Sequence, residues 1–395
     1  MRQASVAYPP LGLSLALTVV GLVAWALGLW VDPRRAAFSW LTAFSFAASI
    51  AIGALLFLMI SYAINAKWVA VLRRLNECIA IVVLPLAVAF VPVVLQAPLL
   101  YSWVEPNLAE LSEHERHLLE HKRAYLNLPF FALRGAFFFA IFGAIAMMLR
   151  VWSLRRDGVP QVGDPREGQA KFRGLSAATL PLVALALTFA AFDWLMSLEP
   201  FWYSAIYGVY VFAGGFLGAI ATLTILAYLC QRRRCLPEVS GFHFHALGRL
   251  LLAFTIFWAY AGFFQAVLIK LANKPDEVTY YLRRSDGGWS YVMWALIVGH
   301  FVLPFFVLLI RSIKYRGEVM AVVAAWLLAM HWLDAFWMVV PVLQPDRVTF
   351  HWLDAAALAA VGGGCVSFGL WRQRGKPLLA TGDPFLASGV EYRSA

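Results

Sequence analysis

The sequence predicts an all-α integral membrane protein with ten transmembrane helices. Hydrophobic residues occupy 62% of its 395 positions and charged residues only 14%, whereas a soluble domain carries about 25% charge. Apolar runs of about 20 residues, the length that crosses a bilayer as a helix, recur ten times. The 16 tryptophans and 30 phenylalanines are typical of chains with aromatic belts at the membrane interface.

The apolar runs follow one another without a long polar linker. This arrangement predicts a single membrane domain over 1–395, ending in a tail over 372–395. The first run is too long for a signal peptide, and nine more spans follow it. The predicted spans are 10–31, 38–63, 77–100, 127–149, 176–198, 204–230, 248–272, 289–311, 319–343 and 351–371.

The distribution of positive charge predicts the orientation. The net charge of +10 would suggest a nucleic-acid partner in a soluble protein, but here the basic residues lie in the loops. Twenty Lys and Arg residues lie on the predicted side of the termini and ten on the other side. By the positive-inside rule both termini are cytoplasmic, and no nucleic-acid partner is expected.

The cysteines and histidines do not indicate a redox centre in this chain. The four cysteines form no CxxC and no CxxCH motif, so an iron–sulfur cluster or a covalent haem is not expected. Haem b requires facing histidines at matching depth, and only His300 and His331 come close to that arrangement. The sequence therefore predicts no metal site and no catalytic residue, and the bilayer itself is the first partner.

A short set of polar side chains lies inside the predicted spans. A charge at the bilayer centre costs several kcal/mol, so such residues usually mark ion or proton paths. The pentapeptide HWLDA occurs twice, at 331–335 and 351–355, and residues three apart share a helix face. Candidates for a proton path or quinone pocket are Asp193, His331, Asp334, Arg134, Gln265 and His300, with His351, Asp354 and Arg249 as secondary candidates.

The two HWLD copies predict a staggered ladder of polar groups if their helix faces meet. At 1.5 Å per residue, Asp334 lies about 13 Å below the outer end of its helix, and Asp354 lies near the surface. A ladder suits a proton path or a quinone pocket, because a quinol releases protons on oxidation and needs a nearby base. The alternative is that the His–Asp pairs are buried interhelical hydrogen bonds and that Arg134 only neutralises a carboxylate.

Two long loops lie on the predicted outer side. The segment 101–129 is acidic and rich in histidine, and its leucine spacing predicts a short amphipathic surface helix. The segment 273–289 is polar and aromatic. Loops of this kind pack on neighbouring subunits or cap a site, although a solvated lid is the alternative. The inner loop 153–175 is charged and predicted to be flexible.

Four stretches carry a resemblance to a known family. They are KRAYLNLPFFALRGAFFFAIFGAI (122–145), FDWLMSLEPFWYSAIYGVYVFAGGF (192–216), FHALGRLLLAFTIFWAYAGFFQAVLIKLANKPDEVTYY (244–281) and AMHWLDAFWMVVP (329–341). They resemble the ActF-type membrane subunits of alternative complex III, a bacterial quinol:electron-acceptor oxidoreductase. These subunits belong to the NrfD/polysulfide reductase membrane-subunit family.

The resemblance implies a fold, partners and a role. The fold has two four-helix bundles, spans 2–5 and 6–9, flanked by spans 1 and 10, in the bacterial inner membrane. The chain would hold no metal or haem; a quinone or quinol is its only expected small molecule. Its partners would be an ActC-like membrane subunit, an iron–sulfur subunit and c-haem subunits. Asp193, His331 and Asp334 become proton-path candidates. Ala246 stands where the family often has an acidic residue, so no complete inward path is visible.

Two other functions fit a chain of this composition. A proton-coupled secondary transporter also has about ten spans and buried Asp and His residues. Transporters usually contain Gly- or Pro-broken helices at the midplane, whereas prolines here lie mostly near span ends. A purely structural membrane anchor for redox subunits is the other alternative, and it predicts that substitutions at the buried pairs affect assembly only.

Overall fold

Among the described residues, ten helices are long and apolar enough to cross a membrane. They come from a computed structural model that describes residues 11–109, 111–159, 163–272 and 275–393, without the side chains of 275–277. Residue 10 of the first predicted span, Arg2, Lys274 and the last two tail residues lie outside those ranges. Numbered α1 to α10, the helices cover Leu11–Val31, Pro33–Ala63, Arg73–Leu95, Leu128–Arg156, Pro165–Leu198, Tyr207–Arg232, Gly241–Ala272, Trp289–Leu309, Gly317–Val342 and Trp352–Gln373.

The class and the number of spans are confirmed, and the ranges described contain no strand. Helices α2 to α5 contact one another around a ring, and α6 to α9 form a second ring. Helices α1 and α10 pack together as a pair against α2. The two predicted four-helix bundles and their flanking helices are therefore present.

Helix α2 occupies the centre of the molecule. In α2, 78% of the apolar window is buried, against 17% in α1, because α2 contacts α6 and α9 of the second bundle as well as its own. A Cβ built on Gly53 would lie 2.4 Å from the Gly215 carbonyl oxygen of α6. This backbone approach, typical of small residues in membranes, brings Ser49 of α2 close to α9.

Helix α8 contains a π-helical segment at mid-membrane. The segment covers Ile297–Val302 and includes His300. Pro304 follows it, and a proline lacks the N–H that would bond to the carbonyl of residue 300 and clashes with that carbonyl. A wider turn accommodates this conflict, and such turns are frequent at functional sites.

The two ends of the bundles differ in their connections. The loop face carries the long connections, including a surface helix Glu113–Lys122 and a second helix Pro275–Ser285. The first of these confirms the predicted amphipathic helix. The opposite face, the tail face, carries residues 374–393. The predicted flexible loop 153–175 is largely helical, since α4 extends to Arg156 and α5 begins at Pro165.

The tail packs onto the tail face and contacts both bundles. Asp383 is buried and accepts hydrogen bonds from Arg73 of α3 and from Arg156 of α4, the latter at 3.3 Å. The His243 ring of α7 lies 3.1 Å from the Gly389 carbonyl oxygen. The tail therefore links the first bundle to the second.

Candidate functional site

Five carboxylates are buried among the described residues, and four of them have an arginine partner. A buried carboxylate usually has such a partner because an isolated charge in an apolar medium is very costly. The pairs are Glu77 with Arg74 at 3.0 Å, Asp193 with Arg134 at 2.7 Å, Asp354 with Arg35, and Asp383 with Arg73.

Asp334 of α9 is the exception. Its side chain is 1% exposed, and within the described ranges no lysine or arginine lies at ion-pair distance from it. Its two oxygens accept hydrogen bonds from neutral donors, one from the Tyr210 hydroxyl of α6 and one from the Trp258 indole N–H of α7 at 3.1 Å. An arginine neighbour would keep this carboxylate ionised. At Asp334 no cation fixes the charge, so the group is free to take up and release a proton.

His331 lies one turn away from Asp334 on the same helix face. Its Nε2 is 2.9 Å from the Ser49 hydroxyl of α2, and its Nδ1 is buried with no hydrogen-bond partner in the described structure. Gly214 and Gly218 of α6 provide the space for the ring, because a Cβ at either position would lie 3.0–3.1 Å from it. The glycines therefore position an imidazole between the two bundles.

His300 completes the cluster. The π-helical segment places its ring against Trp258, with ring centroids 4.2 Å apart, and 6.4 Å from the ring of His331. The side chain is fully buried and neither ring nitrogen has a partner in the described ranges. His300 and Asp334 thus both contact Trp258, and His331 lies beside His300.

A cavity of about 650 Å³ lies against this cluster in the second bundle. Tyr210 and Trp258, the two donors to Asp334, form part of its wall, and Gln265 of α7 lines it as well. Most of the remaining lining is apolar or aromatic. Phe263 is 72% exposed and Trp294 59% exposed on the membrane side of the wall. The cavity therefore opens sideways between α7 and α8.

The helix Pro275–Ser285 covers the loop-face end of this cavity. Its Tyr280 and Tyr281 line the cavity, and burial raises the pKa of Tyr280 to about 12, so its phenol stays protonated. Arg284 anchors the helix, donating to Glu199 at 2.5 Å and to the Met338 carbonyl at 3.0 Å. The described part of the polar loop thus covers one end of the cavity.

The structure places the residues of the predicted proton path or quinone pocket in two separate sites. Arg134 holds Asp193 with two hydrogen bonds of 2.7 and 2.9 Å and also donates to the Tyr125 carbonyl at 2.8 Å. This pair lies in the first bundle, between α4 and α5, whereas His331, Asp334, His300 and Gln265 lie in the second. The geometry agrees with the alternative drawn from the sequence, in which Arg134 neutralises a carboxylate, here Asp193.

The two HWLD copies do not bond to each other. Asp354 pairs with Arg35 and accepts from Ser39 at 2.6 Å, and it caps the start of α10 by accepting from the His351 N–H at 2.9 Å. Both copies instead reach α2, at Ser39 and at Ser49. These two serines are ten residues apart, about 15 Å along the helix.

Arg249 lies in the first turns of α7, near the tail face, and is exposed. It contributes nothing to the buried cluster. The described residues contain no group of three or more His, Cys, Asp or Glu side chains placed to hold a metal ion. What the cluster can do chemically is accept, hold and pass on protons beside an apolar cavity.

Sequence reasoning missed several residues of these sites. Ser49, Tyr210 and Trp258 gave no signal, because serine and aromatic residues are common in membrane helices. Arg35 was counted as a loop residue, yet it is 2% exposed. Glu77 stood at the predicted start of the third span, whereas α3 begins four residues earlier, at Arg73.

Fold and site together define a multi-pass all-α membrane protein with a buried carboxyl group that has no countercharge among the described residues and lies beside an aromatic cavity. No model of a known protein family matches the chain, and a search of curated proteins gives no significant match. The motif resemblance therefore bears on function only as support for a proposal.

Proposed function

We propose that this chain is a membrane subunit of a quinol-oxidising respiratory complex of the alternative complex III type. It would lie in a bacterial inner membrane with the tail face cytoplasmic, pass protons released by quinol oxidation, and carry no redox centre of its own. The observation that carries the proposal is Asp334, a buried carboxylate with two neutral donors and no arginine partner in the described chain.

The contrast with the other buried carboxylates supports this role. A buried carboxylate paired with arginine contributes charge-assisted hydrogen bonds to packing, as Asp193 and Asp354 do. Asp334 lacks such a partner in the described chain, although α9 packs against four other spanning helices, α2, α6, α7 and α8, that could have supplied a cation. Polar groups kept at such a cost inside a membrane are usually functional.

The cavity gives the proton a source. Its volume of about 650 Å³ lies within the roughly 300–1,000 Å³ typical of small-molecule sites. An aromatic, laterally open cavity suits a quinone headgroup whose isoprenoid tail remains between α7 and α8. Gln265 can donate to a headgroup oxygen, and Tyr210 lies between the cavity and Asp334.

The proton chemistry balances through these residues. A quinol gives two electrons to redox centres on partner subunits and loses two protons. One proton passes from the quinol hydroxyl to the Tyr210 oxygen while the hydroxyl proton of Tyr210 passes to Asp334. Asp334 then passes the first proton to the imidazole of His331, one turn away, whose Nε2 lies 2.9 Å from the Ser49 hydroxyl of α2. The second quinol proton follows by the same route to the Asp334 carboxylate that this transfer restores.

The partners would be an ActC-like membrane subunit, an iron–sulfur subunit and c-haem subunits. The loop face supports this part of the proposal, because the helices Glu113–Lys122 and Pro275–Ser285 form a structured surface there to which partner subunits can bind. On the proposed orientation this surface faces the compartment in which c-haem proteins reside.

The decisive experiment is purification of the tagged chain from its own membranes in a mild detergent, followed by mass spectrometry and a haem spectrum. Co-purifying multihaem c and iron–sulfur proteins, with quinol oxidation activity, are expected. A colourless chain recovered alone, from membranes whose other respiratory complexes stay intact, would refute the proposal and favour a proton-coupled transporter.

A further inference from the structure

We infer that a second cavity, beneath the surface helix Glu113–Lys122, is a binding site for an anionic phospholipid. It has a volume of about 510 Å³ and lies at the loop-face end of the first bundle. It is formed by the surface helix, the end of α5 and the segment 200–203. The first cavity belongs to the second bundle, and the two cavities share no lining residue.

One face of the surface helix points into the cavity. His114, Leu118 and Lys122 line it, and their spacing of four places them on a single face. A capping box at Ser112 fixes the start of the helix, with Ser112 Oγ accepting from the Glu115 N–H at 3.2 Å. The polar roof of the cavity is therefore a structured element.

The polar groups that line the cavity are suited to an anion. The Lys122 ammonium donates to the Pro200 carbonyl oxygen at 2.6 Å and retains two further N–H donors. His114 lies two turns away on the same face, about 12 Å along the helix, and lines the other end of the cavity. The Trp202 side chain also lines the cavity and is 3% exposed, and its buried indole N–H has no acceptor in the described structure. A phosphate beside Lys122 would provide acceptors for the ammonium group and, when the Trp202 ring turns towards it, for the indole N–H.

The electrostatics agree with the donor set. No Asp or Glu side chain lines the cavity, and no ion pair involves Lys122 within the described ranges. Burial lowers the pKa of the Lys122 ammonium, so a bound anion would offset the cost of keeping that charge partly desolvated. A phosphate group would supply the negative charge that is missing beside Lys122.

The floor of the cavity continues into a lipid-facing strip of α5. Phe189 and Phe192 line the cavity, and Leu182, Leu185 and Phe189 are 43–57% exposed on the same helix. Their spacing of three and four places them on one face. An acyl chain can therefore lie along this strip while the headgroup phosphate of the same lipid reaches Lys122. Free phosphate has no acyl chain and would not contact the strip.

The test uses the full-length chain purified in mild detergent with whatever proteins accompany it. Bound phospholipids are identified by mass spectrometry after extensive washing. The affinities of added phosphatidylglycerol and phosphatidylethanolamine are then compared for the wild type and three variants. These are Lys122→Gln, Trp202→Phe and the control Lys270→Gln, an exposed lysine near the end of α7 and outside the cavity.

Retained phosphatidylglycerol or another anionic phospholipid is expected, with Lys122→Gln weakening it about tenfold or more because a charge-assisted hydrogen bond is lost. Trp202→Phe keeps the ring stacked on Tyr280 and should weaken binding about threefold. Lys270→Gln should change neither the affinity for phosphatidylglycerol nor the affinity for phosphatidylethanolamine.

Several outcomes would overturn the assignment. They are equal affinity for the two phospholipids, displacement of the lipid by millimolar inorganic phosphate, retention of a quinone in this site, or an equal effect of Lys270→Gln. If Lys122→Gln does not fold, Trp202→Phe still decides, since unchanged binding in that variant removes the indole N–H from the site.

Discussion

Replacement of Asp334 by asparagine tests whether the residue accepts protons or has only a structural role. The amide has the same shape and keeps one oxygen acceptor, but it cannot carry the proton. One of the two donors, the Tyr210 hydroxyl or the Trp258 N–H at 3.1 Å, then meets an NH₂ group. Loss of one buried hydrogen bond costs about 1–3 kcal/mol, so the variant should still fold and assemble.

The effect on turnover should be far larger. Positioned acid–base groups contribute about 10²–10⁴-fold to rate, so Asp334→Asn should lower quinol oxidation per assembled complex by at least about 100-fold. The assay is steady-state quinol oxidation with a periplasmic acceptor, normalised to haem, with proton release measured in parallel.

Asp354→Asn is the matched control, because it makes the same chemical change in the other HWLD copy. It leaves Arg35 buried without its countercharge, which costs about 3–5 kcal/mol. Its thermal stability and yield should fall, while turnover of the complexes that assemble should stay near wild type. Unchanged turnover in Asp334→Asn, or an equal loss in both variants, would refute the argument from the missing countercharge.

Three further predictions concern the cavity, the bundle interface and the loop face. Ala266→Phe places a ring in the 650 Å³ cavity and should raise the KM for quinol at least about tenfold with little change in stability; an unchanged KM would remove the cavity from the quinol site. Gly53→Ala forces a methyl group to within 2.4 Å of the Gly215 carbonyl and should lower stability by about 1–3 kcal/mol, measured as a fall in Tm; an unchanged Tm would contradict the close approach of α2 and α6. Ser112→Ala removes a helix cap and should raise amide exchange in the surface helix by the equivalent of about 1 kcal/mol. The hydrogen bonds from Ser112 lower the pKa of Glu115, so in the wild type the protection should be present above the ordinary carboxyl range and fall as the pH drops through that lowered pKa.

The fold could be predicted from the sequence because it depends on the distribution of hydrophobic and charged residues along the chain. Ten apolar runs are visible as length alone, and Glu113–Lys122 is visible as leucine spacing between polar residues. The errors lie at helix ends, where a buried ion pair permits a charged residue to continue a spanning helix. The start of α3 shows this, because Arg74 pairs with Glu77 and Arg73 pairs with Asp383 of the tail. Neither pairing can be recognised before the partners are known.

The site was only half predictable for a related reason. Asp193 and Asp334 look alike in sequence, each being an aspartate near an aromatic residue in an apolar run. Their difference is the partner, since Asp193 meets Arg134 across the first bundle and Asp334 meets a tyrosine and a tryptophan. Spacing within one helix cannot identify a partner on another helix, so the pairing that distinguishes the two residues required the tertiary structure.

The pairing of α1 with α10 has a consequence for biogenesis. A Cβ on Gly21 of α1 would lie 2.4 Å from the Ala360 backbone nitrogen of α10, so the two helices are built to meet at closest backbone distance. Ribosomes add about 5–20 residues per second, and these two positions are more than 300 residues apart. For roughly 20 s to a minute the first helix must therefore wait in the lipid with its docking face bare. Helix α1 is therefore synthesised long before the helix that covers its docking face.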